Sequence, residues 1–190
     1  MPILDHFGIL APHYENFIHL KDPQKIINAA KLPVDGAILD AGGGTGRVTQ
    51  AFSGMASQLF VADVSLKMLL QASFKHGLLP VCSYTEKLPF PDNYFERVIM
   101  VDALHHVKNQ VETISEMWRV LEPGGLIVIE EPDIRHFSVK LIAIAEKIGL
   151  MRSKFLSPER IRIFFDYPQA KSHIIRDEPN AWIIVEKTNC

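Results

Sequence analysis

Three alternate glycines, Gly42, Gly44 and Gly46, follow an apolar segment in the sequence LDAGGGTGR. Glycines at this spacing let the backbone approach a ligand closely, and the free N–H groups at the start of a following helix favour a carboxylate or phosphate. Asp63 ends the next apolar segment, 21 positions beyond Gly42. A carboxylate there offers two acceptors to the two hydroxyls of a ribose. Loop, strand end and acid together predict a site for an adenosine-containing ligand.

The spacing of the glycines distinguishes among adenosine ligands. A nicotinamide dinucleotide site uses G-x-G-x-x-G, and counting from Gly42 places Arg47 where the third glycine should stand. A P-loop is excluded because no Gly-Lys-Ser or Gly-Lys-Thr follows the glycines. Two alternatives stay open: an NAD-dependent oxidoreductase, which shares the strand, loop and acid, and a non-catalytic binding subunit.

The elements that must position these residues alternate between strand and helix along the chain, which is typical of a parallel α/β sheet. Buried strands are predicted at 37–40, 58–63, 79–83, 95–101 and 126–131. Helices are predicted at 22–31, from Gly46 onward, and at 65–77, 109–121, 137–150 and 158–165. The turn cluster DEPN separates two apolar segments at the end of the chain, which predicts an antiparallel hairpin.

Length and composition restrict the class of protein. The chain has 190 residues with 20 basic and 22 acidic side chains, a net charge of -2, and 47% hydrophobic residues, which fits one globular domain. No apolar run reaches the ~18 residues of a membrane span, and the N-terminus lacks the cationic start of a secretory signal. Near-neutral charge argues against a dedicated nucleic-acid binder. Cys82 and Cys190 form neither a disulfide framework nor a metal-ligand pattern, which predicts a cytoplasmic protein without a metal site.

Five segments resemble, in order and spacing, the successive motifs of class I S-adenosylmethionine-dependent methyltransferases. They are LDAGGGTG at 39–46, VADVS at 61–65, LPFPDNYFERV at 88–98, ALHHV at 103–107 and LEPGG at 121–125. The small-molecule branch, which includes the quinone-biosynthesis C-methyltransferases, is the most similar. The resemblance implies S-adenosyl-L-methionine as cofactor, S-adenosyl-L-homocysteine as product and a small-molecule acceptor. The subunit would be a monomer or a homodimer.

The same resemblance implies the architecture. The fold would be a doubly wound Rossmann-like sheet of about seven strands, the last antiparallel, with helices on both faces. Residues 1–190 would form one domain: an N-terminal helical cap at 1–35, a cofactor-binding core at 36–131, and substrate-side helices with a C-terminal hairpin at 132–190.

Roles for the cofactor residues follow position by position from the family motifs. Asp40, Gly42 and Gly44 would face the methionine part, with Gly46 completing the loop, Asp63 would bind the ribose, and Val64 and Met68 would contact the adenine. Tyr14 occupies the position of an aromatic that contacts the methionine part, although it could equally pack on the core.

One position departs from the family pattern. Where the family usually has an Asp that binds the adenine amino group, this chain has Tyr84, between Ser83 and Thr85. Either a hydroxyl or carbonyl of this stretch accepts that hydrogen bond, or adenine binding is weaker.

Polar residues that follow the fourth and fifth strands are the candidates for the acceptor side, because ligands of open α/β sheets bind at the carboxyl ends of the strands. His106 and His105 are the catalytic candidates, and their alternative role is to cap a loop. The remaining acceptor-side candidates are Asp102, Glu130 and Glu131, of which only one of the two glutamates should face the cleft.

Charge is placed unevenly along the chain. Residues 135–176 carry nine Lys and Arg against three Asp and Glu, a local net charge of +6. Arg152 and Lys154 are therefore candidates for contacting an acidic acceptor. The alternative is a solvated surface on a helix whose buried face would be formed by Leu141, Ile144, Ala145 and Ile148.

Overall fold

The structure of the protein is a computed structural model that describes residues 22–148 and 153–189. The predictions for the first 21 residues, including Tyr14, and for Arg152 lie outside the described residues. The helices are α1 Pro23–Ala29, α2 Leu66–Ser73, α3 Gln110–Val120, α4 Phe137–Ile148 and α5 Pro158–Ile163. The strands are β1 Ala37–Ala41, β2 Gln58–Asp63, β3 Leu78–Cys82, β4 Phe95–Val101, β5 Leu121–Pro132, β6 Ala170–Asp177 and β7 Asn180–Lys187.

The seven strands form one sheet in the order β3-β2-β1-β4-β5-β7-β6. β1 to β5 pair in parallel, and β7 pairs antiparallel with both β5 and β6. The predicted fold, with about seven strands and the last one antiparallel, is confirmed. Because the strand order reverses at β1 and β4, the carboxyl ends of these two strands flank the crevice where ligands of such sheets bind.

Apolar packing covers both faces of the sheet. Neighbouring residues of β1 point to opposite sides, so that Leu39 belongs to one buried cluster and Ile38 to the other. All five residues of β1 are buried, as expected for a central strand with helices on both faces. This double packing holds the end of β1, and therefore the glycine loop, in a fixed position.

The predicted α-helix after Gly46 is wrong. The chain instead makes turns and a short 3-10 helix, Thr49–Phe52. Gly42, Gly44 and Gly46 all have positive φ, which a right-handed helix cannot include. The loop is therefore not followed by a long helix whose dipole could act on a ligand.

The predicted buried face of α4 is also wrong for three of its four residues. Leu141 and Ile144 are 51% and 56% exposed and Ala145 is exposed, whereas Val139 is fully buried. Among the described residues, none of the helices has the length and apolar character needed to cross a membrane.

Candidate active site

The glycine loop leaves the end of β1 and turns back over β2. The N–H groups of Gly42 and Gly43 donate to the carbonyl oxygen of Ala62 at 2.7 and 3.2 Å. Gly42 has φ +74°, and a Cβ on it would lie 2.9 Å from the Cβ of Ala103. Only glycine allows the loop to lie this close to the segment that follows β4.

Asp63, at the end of β2, is hydrogen-bonded to the glycine loop. Its Oδ2 accepts from the Gly44 N–H at 3.0 Å, and its Oδ1 accepts from the Ser65 N–H at 2.8 Å. A carboxylate has about four acceptor positions, so one such group can order a loop and also accept from ligand hydroxyls. The geometry fits a carboxylate that orders the loop and also binds a ribose.

Neighbouring predicted cofactor residues occupy different depths. Met68 is 3% exposed, and its methyl group lies 3.3 Å from where a Cβ on Gly44 would be. Val64 is 54% exposed. Gly46 is buried, and a Cβ on it would lie 2.5 Å from Cδ1 of Leu78. Gly46 therefore serves the packing of the loop on the sheet, and a direct contact with cofactor stays a prediction.

Asp40 is a carboxylate almost without solvent contact, 1% exposed. The hydroxyl of Thr49 donates to its Oδ2 at 2.6 Å. Burial raises the pKa of Asp40 to about 6, although the Thr49 hydrogen bond and the charge of Arg47 oppose the rise. A cationic group near this buried carboxyl would stabilise its charged form, and the positively charged methionine end of S-adenosylmethionine has that character.

One buried hydroxyl without a hydrogen-bond partner among the described residues lies in the stretch where the family usually has the adenine-contacting Asp. Tyr84 is 65% exposed, and Thr85 is buried with its hydroxyl 3.0 Å from that of Thr113. The Oγ of Ser83 is buried and has no hydrogen-bond partner among the described residues. Ser83 follows directly after β3 and next to Asp63, whose carbonyl accepts from its N–H at 3.0 Å. A role for this stretch in binding adenine stays a prediction.

The two glutamates at the end of β5 have different partners. Glu131 is 4% exposed, and its Oε1 accepts from the N–H groups of Ala103 and Leu104 at 2.9 and 2.7 Å. Its Oε2 lies 2.7 Å from Nδ1 of His105. Glu130 accepts instead from the amide of Asn180 at 2.8 Å, and burial raises its pKa. Glu131 therefore orders the loop after β4, and its predicted place on the substrate side is indirect.

His105 is buried and held on several sides. Its ring stacks on Phe155, with centroids 4.2 Å apart, and Nε2 lies 4.0 Å from the carboxylate of Asp102. Burial lowers the pKa of His105, but the hydrogen bond and charge of Glu131 with the charge of Asp102 more than offset this, so the pKa is raised. Burial in turn raises the pKa of Asp102 to about 6.

His106 has the opposite electrostatic environment. Burial and the neighbouring His105 lower its pKa to about 3, and its Nδ1 lies 3.1 Å from the hydroxyl of Ser153. A pKa this low leaves His106 neutral and a weak proton acceptor, which argues against the base role that its sequence position suggested. A catalytic role for either histidine stays a prediction.

The cationic segment is partly neutralised by its own acids. Arg135 forms ion pairs with Asp133 and Glu159, and Arg176 pairs with Glu159 at 2.6 Å. Lys154 is exposed and contributes its backbone N–H to the carbonyl of His105 at 2.7 Å. This pairing favours a solvated surface for Arg135 and Arg176 and leaves Lys154 as a candidate.

Sequence reasoning missed Glu146 at the acceptor side, and it did not indicate that Phe155 stacks on His105, 50 positions earlier in the chain. Oε2 of Glu146 is buried without a hydrogen-bond partner among the described residues. Glu146 stands in no motif, so no local pattern could have indicated it.

Comparison with known proteins supports the resemblance. A family model described as a methyltransferase domain matches residues 39–129, which contain all five motifs. A ubiquinone/menaquinone biosynthesis C-methyltransferase of Stutzerimonas stutzeri is 38% identical over 133 residues, covering 63% of this chain and 52% of that protein. Over this segment the chain is similar to the class I S-adenosylmethionine-dependent methyltransferases. The similarity implies S-adenosyl-L-methionine as cofactor. The chain spans about half the length of the curated relatives it matches.

Solved structures of this family's fold are also similar to the chain. The Haloferax volcanii partner of the Trm112 methyltransferase activator superposes with a TM-score of 0.79 at 16% identity, covering 98% of this chain and 100% of that one. The [4+2]-cyclase SpnF superposes with a TM-score of 0.78 at 15% identity, covering 97% and 95%. At this identity the likeness establishes the fold alone.

Proposed function

We propose that this protein transfers the methyl group of S-adenosylmethionine to a small-molecule acceptor bound near the carboxyl ends of β4 and β5. The observation that carries the proposal is the position of the Asp63 carboxylate at the end of β2 beside the glycine loop, where it accepts from the N–H groups of Gly44 and Ser65. The relatives named as ubiquinone/menaquinone biosynthesis C-methyltransferases support carbon as the methylated atom. The exposed thiol of Cys82 is in keeping with a cytoplasmic location.

Different residues bind the ribose, adenine and methionine parts of the cofactor. Asp63 binds the ribose hydroxyls, the Ser83 hydroxyl accepts from the adenine amino group, and Asp40 with the glycine loop holds the methionine end. The cofactor supplies an activated methyl group on a sulfonium. Since transfer from a sulfonium depends mainly on alignment with the nucleophile, the protein's main contribution is positioning.

The acceptor side favours a flat molecule. Phe155 is partly buried, stacks 17° from parallel on the buried His105 and provides aromatic surface beside the loop that follows β4. Asp102 and Glu130 provide hydrogen-bond acceptors at the strand ends. A ring with hydroxyl substituents would match this combination of aromatic surface and acceptors.

The second candidate is a protein with this fold that binds the cofactor without methyl transfer. The similarity to SpnF supports this candidate, because a protein named as a cyclase shares the fold. An NAD-dependent oxidoreductase is disfavoured by the glycine spacing and by the family match.

Calorimetry with S-adenosylhomocysteine and with NAD tests the cofactor assignment. We expect binding of S-adenosylhomocysteine alone. Asp63→Ala should weaken it at least about tenfold, because charge-assisted hydrogen bonds contribute about 1.5 to 3 kcal/mol each. Asp166→Ala, at an exposed aspartate, is the matched control. NAD binding, or unchanged affinity in a folded Asp63→Ala protein, would contradict the assignment.

Transfer itself is tested with methyl-labelled S-adenosylmethionine and fractionated metabolite pools. Label should enter a small apolar or aromatic compound with the wild-type chain, and more slowly with Asp63→Ala at a cofactor concentration below saturation. S-adenosylhomocysteine binding with no labelled product in any pool would favour the second candidate.

A further inference from the structure

Two histidines and a glutamate meet beside the loop that follows β4. His105 and His106 belong to the short 3-10 helix Leu104–His106, and Glu146 belongs to α4. Each side chain offers one ligand atom, and the three atoms lie within 4.8 Å of one another. Oε2 of Glu146 is buried and has no hydrogen-bond partner in the described part of the chain. A buried carboxylate oxygen without a partner is costly, and a bound cation would satisfy it.

We propose that His105, His106 and Glu146 form a binding site for a divalent transition metal of the zinc type. Two imidazoles and one carboxylate are a donor set that suits zinc-type metals. Calcium and magnesium instead favour oxygen ligands alone. The absence of a Cys pattern in the sequence therefore does not exclude a metal, because the three ligands converge only in the fold.

Glu131 prepares His105 to be a ligand. Its Oε1 accepts two backbone N–H groups and its Oε2 lies 2.7 Å from Nδ1 of His105, an arrangement expected of an ionised carboxylate that accepts the Nδ1–H. The lone pair of His105 then lies on Nε2. This carboxylate–histidine–metal arrangement is the usual way in which proteins fix the tautomer and orientation of a metal-binding histidine.

The dimensions allow binding with a small adjustment. Zinc bonds of about 2.0 to 2.2 Å in a tetrahedral site place the ligand atoms roughly 3.4 Å apart, so separations of up to 4.8 Å must shorten by up to about 1.4 Å. Side-chain rotation of Glu146 can supply that movement, since its residue is only partly buried. Three protein ligands leave a coordination position open, which is typical of catalytic rather than structural zinc.

Calorimetric titration of the tag-free, chelator-treated chain with Zn²⁺ tests this site and requires neither cofactor nor acceptor. We expect one Zn²⁺ per chain. Glu131→Gln should weaken binding about 10- to 100-fold, because its amide would donate to Nδ1 and move the lone pair away from Nε2. Glu146→Gln should weaken binding at least as much, because it removes a ligand. Glu112→Gln, at an exposed glutamate of α3, is the matched control and should bind as the wild type does.

Visible absorption of the Co²⁺-loaded chain gives a second measurement, and circular dichroism shows whether each variant is folded. A folded Glu146→Gln protein that binds Zn²⁺ as tightly as Glu112→Gln would overturn the site. Failure of the wild-type chain to bind Zn²⁺ would also overturn it. Because the proposed methyl transfer is measured separately with S-adenosylhomocysteine and labelled cofactor, failure of the metal site and failure of the proposed function can be distinguished.

Discussion

Asp40 shows at the scale of one residue how a binding site costs stability. Because burial raises its pKa to about 6 in the folded chain, against about 3.9 in an unfolded one, the folded state holds its proton more tightly. Asp40 therefore makes the free energy of unfolding fall as pH rises from about 4 through 6. Above that range the penalty remains constant, and a cationic ligand near the carboxylate would offset it.

Asp40→Asn should raise the free energy of unfolding at pH 7 by up to roughly 3 kcal/mol, because it removes the buried charge and keeps an acceptor for Thr49. The gain should largely disappear at pH 4, where Asp40 is protonated in the folded chain. Urea unfolding at both pH values measures it.

Asp35→Asn, at an exposed aspartate of the same segment, is the control and should change little. We also expect Asp40→Asn to weaken S-adenosylhomocysteine binding. An equal stability change at pH 4 and pH 7 would show that the charge of Asp40 is not the cause.

Single residues also show where sequence reasoning ends. The place of Asp63 at a strand end beside the glycine loop could be predicted from sequence, because both the glycines and the strand are visible in the pattern, whereas its role in ribose binding stays a prediction. Glu130 and Glu131 could not be told apart, because neighbouring strand residues point to opposite faces and the sequence does not say which face holds the loop. Glu146 could not be found from sequence, because His105 and His106 stand about 40 positions earlier and lie beside Glu146 only through the packing of α4.

Elements follow the sequence closely where they are buried and bounded by turn residues. The fourth strand has its predicted bounds, and the third lies one residue earlier than predicted. The helix expected after Gly46 failed because positive φ at the glycines and the fully buried Phe52 fix the segment as turns and a short 3-10 helix. The predicted buried face of α4 was wrong because helical periodicity shows which residues share a face of the helix but does not show whether another element packs against that face.

Glycine is required in the glycine loop for two separate reasons, a positive φ and a lack of space for a Cβ. A pair of variants distinguishes these two reasons. Gly46 and Gly54 have nearly equal positive φ, +71° and +77°, but only Gly46 has atoms near the position of a Cβ, with Leu78 at 2.5 Å. Alanine at either position should cost about 1 to 2 kcal/mol for the left-handed backbone. Gly46→Ala should lose about 1 to 3 kcal/mol more from overpacking.

Urea unfolding of the two alanine variants measures this difference, with calorimetry of S-adenosylhomocysteine binding as a second readout. Gly46→Ala should also weaken ligand binding if the loop shifts to relieve the contact, and Gly54→Ala should not. Equal destabilisation of the two variants would mean that the backbone conformation alone makes glycine necessary at Gly46.

The whole molecule raises the question of whether its two cores unfold together. The two buried clusters lie on opposite faces of one sheet and share its strands, so that β1 and β4 contribute alternate residues to each. The chain closes this sheet with β7, which inserts between β5 and β6 and would leave the edge of β5 unpaired if it were lost. We therefore propose that the described residues form a single cooperative domain.

The two tryptophans allow a direct test, because each one belongs to a different cluster. Trp118 lies in the cluster that contains Leu39, and Trp182, on β7, lies in the cluster that contains Ile38. In Trp118→Phe and Trp182→Phe the remaining tryptophan reports on one face only, and its fluorescence can be compared with far-ultraviolet circular dichroism of the same variant during urea unfolding. If loss of packing on either face also unpairs the shared strands, both signals should have the same midpoint in each variant. A fluorescence midpoint that precedes the dichroism midpoint in one variant would show that its face unfolds first, and the chain would then contain two units instead of one.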